Sequence, residues 1–314
     1  MKSILDLVRE NIKSLKPYSS ARDEYKDVAI NDMIFLDANE NPFENGVNRY
    51  PDPQQITVKK ALANIKNVNE KNILLGNGSD EVLDLLFRAF CEPNKDNIIT
   101  LPPTYGMYSV LASLNAIEDR KVLLSTDFQP QIPKILAAVD DNSKILFVCS
   151  PNNPSGNSFS EEAIETLLKK FQGLVVIDEA YIDFSKQESW LQKLNEYPNL
   201  VITQTLSKAY GMAGLRVGFC IAQPNVIETL NKVALTFGVT NLAEEAGLAA
   251  LDHEAELMAR INTLVEERTR VVNELTKQGW KIPSADGNFI WLDTKEKAAD
   301  FAAKCDEVGL SVRM

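Results

Sequence analysis

A lysine and an arginine close together in one loop are the first residues of this sequence that suggest chemistry. Lys208 and Arg216 lie in TLSKAYGMAGLR (205–216), directly after a short apolar stretch. An amine can serve as a nucleophile or a base, and a guanidinium offers a fixed fork of donors to a phosphate. Taken alone, Lys208 is better explained as a solvated lysine in a turn. Groups elsewhere in the chain change that interpretation.

A carboxylate, an amide and a phenol also follow apolar stretches. Asp178 and Tyr181 belong to LVVIDEAYIDF (174–184), and Asn153 belongs to SPNNPSG (150–156). A carboxylate at the buried end of a strand is rare unless a cation or a donor pairs with it. Ordinary alternatives exist, because a strand-end aspartate can cap a turn and Asn-Pro sequences form turns without any further role.

The stretch LLGNGSDEVLDLLFRAF (74–90) combines a glycine-containing turn with an amphipathic helix. Gly78 allows a tight turn, and Ser79 can cap a helix whose free amides suit a phosphate. An ordinary cap, with Asp80 complementing the helix dipole, is the alternative. The stretch is not a dinucleotide fingerprint, because Glu81 stands where the third glycine would be.

Together these stretches offer an amine, a carboxylate, two donors for a ring hydroxyl and two anchors for a phosphate. Pyridoxal phosphate requires this set of groups. Each group has an ordinary explanation, but their joint occurrence, always after a predicted strand, favours a cofactor site.

The elements that must position these groups alternate along the chain. Apolar runs predict strands at 73–75, 98–101, 121–124, 145–149, 174–177, 200–203 and 217–221. Helical patterns lie between them, at 54–66, 80–91, 104–115, 130–139, 160–171, 186–195 and 225–236. This alternation predicts a mainly parallel sheet covered on both faces, with ligands bound beyond the carboxyl ends of the strands.

The two ends of the chain predict further elements around that domain. Apolar residues at helical spacing predict an N-terminal helix, and residues 241–278 predict a long helical segment. The tail predicts a strand at 288–292, a helix at 294–308 and the beginning of a strand at 310–313. We therefore divide the chain into an N-terminal arm (1–35), a large domain (36–245) and a linking helix with a smaller C-terminal domain (246–314).

Composition excludes several classes of function. The 314 residues carry a formal net charge of −11, which disfavours nucleic acids and anionic membranes as partners. His253 is the only histidine, so a histidine metal site and a Ser-His-Asp triad lack material. The four cysteines form no C-x-x-C pair and the N-terminus does not match a signal peptide, so a cytoplasmic protein is expected.

With these motifs in place, the sequence resembles the fold-type I pyridoxal-phosphate aminotransferases over nearly its whole length. SPNNPSG, IDEAY and TLSKAYGMAGLRVGF are typical of that superfamily, and DANENP, RYPD, GNGSDE and PTYGMY indicate its histidinol-phosphate branch. The resemblance implies an α/β fold: a three-layer αβα, aspartate aminotransferase-like large domain and a smaller α+β domain. It also implies transfer of an amino group from L-histidinol phosphate to 2-oxoglutarate in histidine biosynthesis.

The resemblance also assigns roles to individual residues. Lys208 would bind the cofactor as a Schiff base and move protons, and Asp178 would pair with the pyridine nitrogen. Asn153 and Tyr181 would contact the ring oxygen, and Tyr105 would stack on the ring. The phosphate would be held by Gly78, Ser79, Asp80, Thr205, Ser207 and Arg216.

On the substrate side the resemblance implies a homodimer with shared sites. Tyr50 would reach the cofactor phosphate of the neighbouring subunit, and Tyr18, Asn39 and Arg313 would contact the substrate. Members of the family continue through another strand with a second substrate arginine, whereas this sequence stops at Met314. We therefore expect the native chain to continue beyond Met314.

Three other functions remain open at this point. An aromatic amino acid aminotransferase and a threonine-phosphate decarboxylase would share the cofactor motifs. A pyridoxal-phosphate-binding protein with weakened catalysis is the third, because of the short C-terminus.

Overall fold

A single seven-stranded sheet organises the computed structural model, which describes residues 3–17, 36–294 and 296–314. The strands are β1 (Ile73–Asn77), β2 (Asn97–Thr100), β3 (Glu118–Lys121), β4 (Ser143–Cys149), β5 (Leu174–Asp178), β6 (Leu200–Thr205) and β7 (Val217–Ala222). They lie in the order β1-β7-β6-β5-β4-β2-β3. Only β7 is antiparallel to its neighbours, so the prediction of a mainly parallel sheet is confirmed.

Helices cover both faces of this sheet. They are α1 (Ile4–Leu7), α2 (Glu10–Lys13), α3 (Ile56–Lys66), α4 (Ser79–Phe90), α5 (Met107–Leu114), α6 (Ile132–Ala137), α7 (Glu161–Lys170), α8 (Pro224–Asn231), α9 (Asn241–Leu251), α10 (Glu254–Lys277) and α11 (Ala298–Glu307). Val175 and Ile177 of β5 pack with α3, α6, α7 and α9, whereas Leu174 and Val176 pack with α4, α5 and α8. Each such buried side chain stabilises the fold by about 1.5–3 kcal/mol, so strands that are apolar on both faces require the three-layer αβα arrangement.

The N-terminal segment forms two short helices instead of the one predicted. The backbone is extended at Val8 and Arg9, between α1 and α2. Arg9 is held there because its N–H donates to the Ala89 carbonyl at 3.1 Å and its guanidinium donates to the Arg88 carbonyl at 3.0 Å. Docking onto the end of α4 therefore overrides the helical spacing.

The edge strand β3 begins three residues earlier than predicted. Pairing with the neighbouring strand continues beyond Lys121, because the amides of Val122 and Leu124 donate to the carbonyls of Thr100 and Pro102. Pro102 has no N–H to return, so the ladder becomes one-sided there and regular strand structure ends.

The C-terminal segment departs furthest from the predicted elements. The long helical pattern divides at 252–253 into α9 and α10, and 186–195 contains a single 3-10 turn, Trp190–Lys193. Neither 288–292 nor 310–313 forms a strand, and between 278 and 314 the described residues contain one isolated bridge, Lys281 to Asp293. Regular strand structure requires a paired neighbour, which the described part of this segment does not provide.

Hydrogen bonds at Arg268 and Asp286 fasten this segment to the sheet domain. The Arg268 guanidinium of α10 donates to the carbonyls of Phe184, at 3.2 Å, and Gly287, at 2.5 Å. The Asp286 carboxylate accepts from the Ser158 amide at 2.9 Å. No helix among the described residues is long and apolar enough to cross a membrane.

Candidate active site

A cavity of about 280 Å³ opens at the carboxyl ends of β4, β5 and β6. Its lining residues are Ser79, Asp80, Tyr105, Cys149, Asn153, Asp178, Ala180, Tyr181, Thr205, Ser207, Lys208, Arg216 and Arg313. Five chain segments, at or just after the carboxyl ends of β1, β2, β4, β5 and β6, contribute all of these residues except Arg313, as expected for a parallel sheet. The residues that the sequence placed after strands are thus brought together at one edge.

One end of the cavity is suited to a dianionic phosphate. Gly78 has φ +84°, and Ser79 begins α4, whose first amides have no partner within the helix. Arg216 adopts the left-handed backbone region (φ 55°), uncommon for a residue other than glycine. That conformation brings its guanidinium against Gly78, where any added Cβ would collide with it. Arginine, turn and helix end therefore meet at one point.

Hydroxyl groups complete this end. The Thr205 hydroxyl donates to Ser207 Oγ at 3.0 Å and accepts from the Ser207 amide at 3.1 Å, so the two side chains are held together. Gly218 of β7 passes so close to the same turn that a Cβ there would overlap the Ser79 amide. Asp80 lies 3.8 Å from Arg216 and accepts from the Tyr105 hydroxyl at 3.0 Å, which places all three beside the phosphate end.

The same cavity holds a buried carboxylate. Asp178 ends β5, is 3% exposed, and accepts from the Ala180 amide at 3.2 Å and the Tyr108 hydroxyl at 2.7 Å. Burial raises its pKa, and these hydrogen bonds oppose that rise. A cationic ring nitrogen would pair with such a carboxylate.

An amide and a phenol also line the cavity. Asn153 Nδ2 donates to the Tyr181 hydroxyl at 3.2 Å. Burial raises the pKa of Tyr181 to about 12, so the phenol keeps its proton and remains a donor near neutral pH. The Lys208 ammonium lies 5.7 Å from the centre of the Tyr181 ring. The lysine is exposed, so it can move toward a ligand without breaking a packed contact.

The predicted substrate residues are divided between places. Arg313 lines the cavity, and its charge acts on Tyr181. Asn39 and Tyr50 instead line a second cavity of about 620 Å³, where Tyr50 stacks on Phe237 with ring centroids 4.6 Å apart. Tyr18 lies outside the described residues.

Sequence reasoning missed several residues of the site. Tyr108 was not singled out, although its spacing of three from Tyr105 in PTYGMY was an available signal. Cys149 lines the cavity, and the Phe289 ring meets the Tyr181 ring edge-on at 5.0 Å. No signal in the sequence indicates the contact with Phe289, because it comes from a segment over a hundred residues away.

The donor set fits pyridoxal phosphate. A cation and free amides suit the phosphate, a buried carboxylate suits the ring nitrogen, and an amine and a donor pair line the same cavity. The described residues contain no group of three or more histidine, cysteine or acidic side chains arranged to hold a metal ion.

Comparison with known proteins also indicates an enzyme that uses pyridoxal phosphate. The family model for aminotransferase class I and II matches residues 32–313. The chain is 60% identical over 286 residues to a histidinol-phosphate aminotransferase of Flavobacterium johnsoniae, covering 90% of this chain and 82% of that one. It is 56% identical over 296 residues to the Flavobacterium psychrophilum enzyme of the same name, covering 94% and 85%.

A solved structure shares the fold. The histidinol-phosphate aminotransferase of Sinorhizobium meliloti, in complex with pyridoxal-5'-phosphate, matches with a TM-score of 0.77 at 24% identity. The match covers 85% of this chain and 74% of that one. The aspartate aminotransferase-like fold predicted from the sequence is thereby confirmed.

Proposed function

The chain belongs to the class I and II aminotransferases and, among them, to the histidinol-phosphate aminotransferases, and from this premise we propose how its residues carry the reaction. The enzyme transfers the amino group of L-histidinol phosphate to 2-oxoglutarate, which gives imidazole acetol phosphate and L-glutamate. The cavity that joins Lys208, Asp178 and Arg216 is the observation on which this assignment rests.

Pyridoxal phosphate, when bound, supplies an aldehyde that accepts amino groups and a ring that takes up the electron pair left by the α-proton. Arg216 would hold the cofactor phosphate together with the Ser79, Thr205 and Ser207 hydroxyls and the turn at Gly78 and Asp80. Tyr105, which donates to Asp80, would stack on the ring. These residues would hold the cofactor at the carboxyl ends of the strands.

Lys208 moves the proton. Its Nζ would hold the cofactor in the resting enzyme, and as a free amine it would take the α-proton of the substrate and return it to the carbon two atoms further along the C–N–C system. Asp178, when ionised, would keep a proton on the ring nitrogen, and Asn153 and Tyr181 would donate to the ring oxygen. The positive charge at the nitrogen and the donors at the oxygen would draw electrons away from the reacting carbon.

On the substrate side, we assign Arg313 to the phosphate of the donor because it lines the cavity. Asn39 and Tyr18 are assigned substrate contacts by family membership, and Asn39 lies beside the second cavity.

A homodimer with Tyr50 completing the neighbouring site is also part of the proposal. Tyr50 does not line the cavity of its own Lys208, and its ring is 49% exposed. Apolar side chains around it are exposed as well, with Val47 at 53% and Leu242 at 61%. Such a patch is typical of a surface covered by another protein. Four free cysteines favour a reducing compartment, so we place the enzyme in the cytoplasm.

A panel of amino donors tests the assignment. Histidinol phosphate, phenylalanine and threonine phosphate are each mixed with the cofactor-loaded enzyme, and the cofactor's visible absorbance is followed through one turnover. Histidinol phosphate should bleach the absorbance at least about a hundredfold faster than phenylalanine, because only its phosphate pairs with the cationic group at the cavity. Threonine phosphate should release no carbon dioxide. No bleaching with histidinol phosphate would reject the substrate assignment.

The three alternatives raised by the sequence are not favoured. Relatives at 56–60% identity are named histidinol-phosphate aminotransferases, and Lys208, Asp178 and Arg216 line one cavity.

A further inference from the structure

Tyr108 is a buried residue beside the site that the mechanism has not used. It lies on α5 with no exposed surface, and its phenol O–H donates to Asp178 Oδ2 at 2.7 Å. Its ring stacks on Phe147, with centroids 4.6 Å apart and planes at 10°, and meets the edge of Tyr105 at 5.6 Å. These contacts fix the ring and thereby hold the phenol oxygen beside Asp178.

Asp178 needs such a donor because its surroundings oppose a charge. Burial favours the neutral carboxyl, and the negative charge of Asp80 acts in the same direction. Tyr105, Tyr181 and Cys149 also face the carboxylate, and their own pKa values are raised, so they stay neutral and add no charge. The hydrogen bond from Tyr108 favours the ionised form more strongly than the one from the Ala180 amide does.

Tyr108 keeps its proton, because burial and the adjacent carboxylate raise its pKa well above that of an ordinary phenol. It therefore acts as a permanent donor. Tyr108 is absent from the lining of the cavity, so it reaches a bound ring only through Asp178.

We propose that Tyr108 is a positioning residue that holds the Asp178 carboxylate ionised and directed at the cofactor's ring nitrogen. The inference rests on the cofactor role proposed above for Asp178. Tyr108 thus acts on the cofactor through Asp178. The aromatic stack that fixes Tyr108 sets the strength of the ion pair between Asp178 and the ring nitrogen.

The test compares two ligands of the cofactor-free full-length protein. One is pyridoxal phosphate, and the other is its analogue with a CH group in place of the ring nitrogen. Tyr108→Phe keeps the ring and removes only the hydroxyl. The dissociation constant of pyridoxal phosphate should rise about tenfold, as for loss of a hydrogen bond to a charged group, while that of the analogue changes less than about twofold.

Two controls accompany the measurement. Tyr197→Phe removes the hydroxyl of another buried tyrosine, outside the cavity, and should leave both constants unchanged. In an Asp178→Asn background, adding Tyr108→Phe should have no further effect, because the charge on which Tyr108 acts is gone.

If Tyr108→Phe weakens the binding of both ligands equally, Tyr108 has only a packing role and the proposal is overturned. The proposal is also overturned if the substitution weakens the binding of neither ligand. A wild-type protein that does not prefer pyridoxal phosphate over the analogue would instead refute the role of Asp178, and the Tyr108 proposal with it. Wild-type preference retained in Tyr108→Phe refutes the Tyr108 proposal alone.

Discussion

In the proposed mechanism, Lys208 combines an indispensable chemical role with almost no structural one. Its side chain is exposed at the cavity, and its Nζ lies over the Tyr181 ring. Asp178 is the opposite case, because it is buried and hydrogen-bonded on both oxygens. At the scale of single residues, the proposed chemical role of Lys208 can therefore be removed without loss of packing, whereas that of Asp178 cannot.

Lys208→Ala should abolish amino transfer by about 10³-fold or more, because the amine is both the attachment point and the proton carrier. The thermal unfolding midpoint should stay within about 2 °C, since an exposed side chain is lost. Borohydride reduction followed by peptide mapping should label the 205–216 peptide of the wild type and not that of the variant.

Lys186→Ala, at another exposed lysine, is the matched control and should behave as the wild type in both assays. A Lys208→Ala variant that still transfers amino groups at a rate near that of the wild type would contradict the assignment.

Most individual site residues were predictable because they lie in chain segments that follow strands. Lys208, Asp178, Asn153 and Arg216 each follow an apolar run, and parallel strands bring such segments to one edge. Tyr108 was not predictable in the same way. Its importance depends on which helix face turns toward β5, and that is set by tertiary packing.

At the scale of elements, the contact between α3 and α9 buries part of a carboxyl group in surroundings that disfavour its charge. Glu244 of α9 has a buried Oε1 without a hydrogen-bond donor among the described residues. Burial raises its pKa to about 7, Asp52 adds to the rise, and Lys59 of α3 opposes it. The folded protein thus prefers the protonated form of this side chain.

Stability should therefore fall as pH rises. An unfolded Glu244 titrates near its ordinary value of 4.5, so the folded state holds an extra proton between pH 4.5 and about 7 and loses that advantage above the window. Glu244→Gln removes the ionisation. The variant should be more stable than the wild type by about 1–2 kcal/mol at pH 8, after discounting for partial exposure, and equal to it near pH 4.5.

Urea unfolding at the two pH values measures the difference. Glu245→Gln, at the exposed neighbouring position, should show no such pH dependence. A stability difference for Glu244→Gln that is the same at both pH values would refute the titration.

Contacts between elements also explain why the sequence predicted some elements in the wrong place. The edge strand β3 and the two N-terminal helices are set by partners, Pro102 in one case and the end of α4 in the other. Hydrophobic periodicity reports only the local pattern. Central strands, which are apolar on both faces, were located within about two residues at either end.

At the scale of the whole molecule, the location of Tyr50 distinguishes two arrangements of the active sites. In one, two subunits share each site, and in the other, each subunit completes its own. It belongs to a patch with Asn39, Phe237 and Leu242, apart from the cavity of its own Lys208. If sites are shared across a two-fold axis, each intact site needs Lys208 from one subunit and Tyr50 from the other.

Mixing two inactive variants tests this arrangement. Tyr50→Ala and Lys208→Ala proteins are combined in equal amounts, dissociated and allowed to reassociate. A mixed dimer then contains one site with both residues intact, so about a quarter of wild-type activity should return for random pairing. Light scattering gives the mass of each species.

Each variant alone, carried through the same steps, is the control. Absence of recovery despite proven mixed dimers would place Tyr50 in its own subunit's site.

The contact between the 284–289 segment and the SPNNPSG loop also has a consequence for engineering. The Asp286 amide donates to the Gly156 carbonyl at 2.7 Å, its carboxylate accepts from Ser158, and Phe289 touches the ring of Tyr181. Chimeras that exchange C-terminal segments between family members would split this unit. The two stretches should therefore be transferred together, so that the Tyr181 phenol keeps its orientation at the cavity.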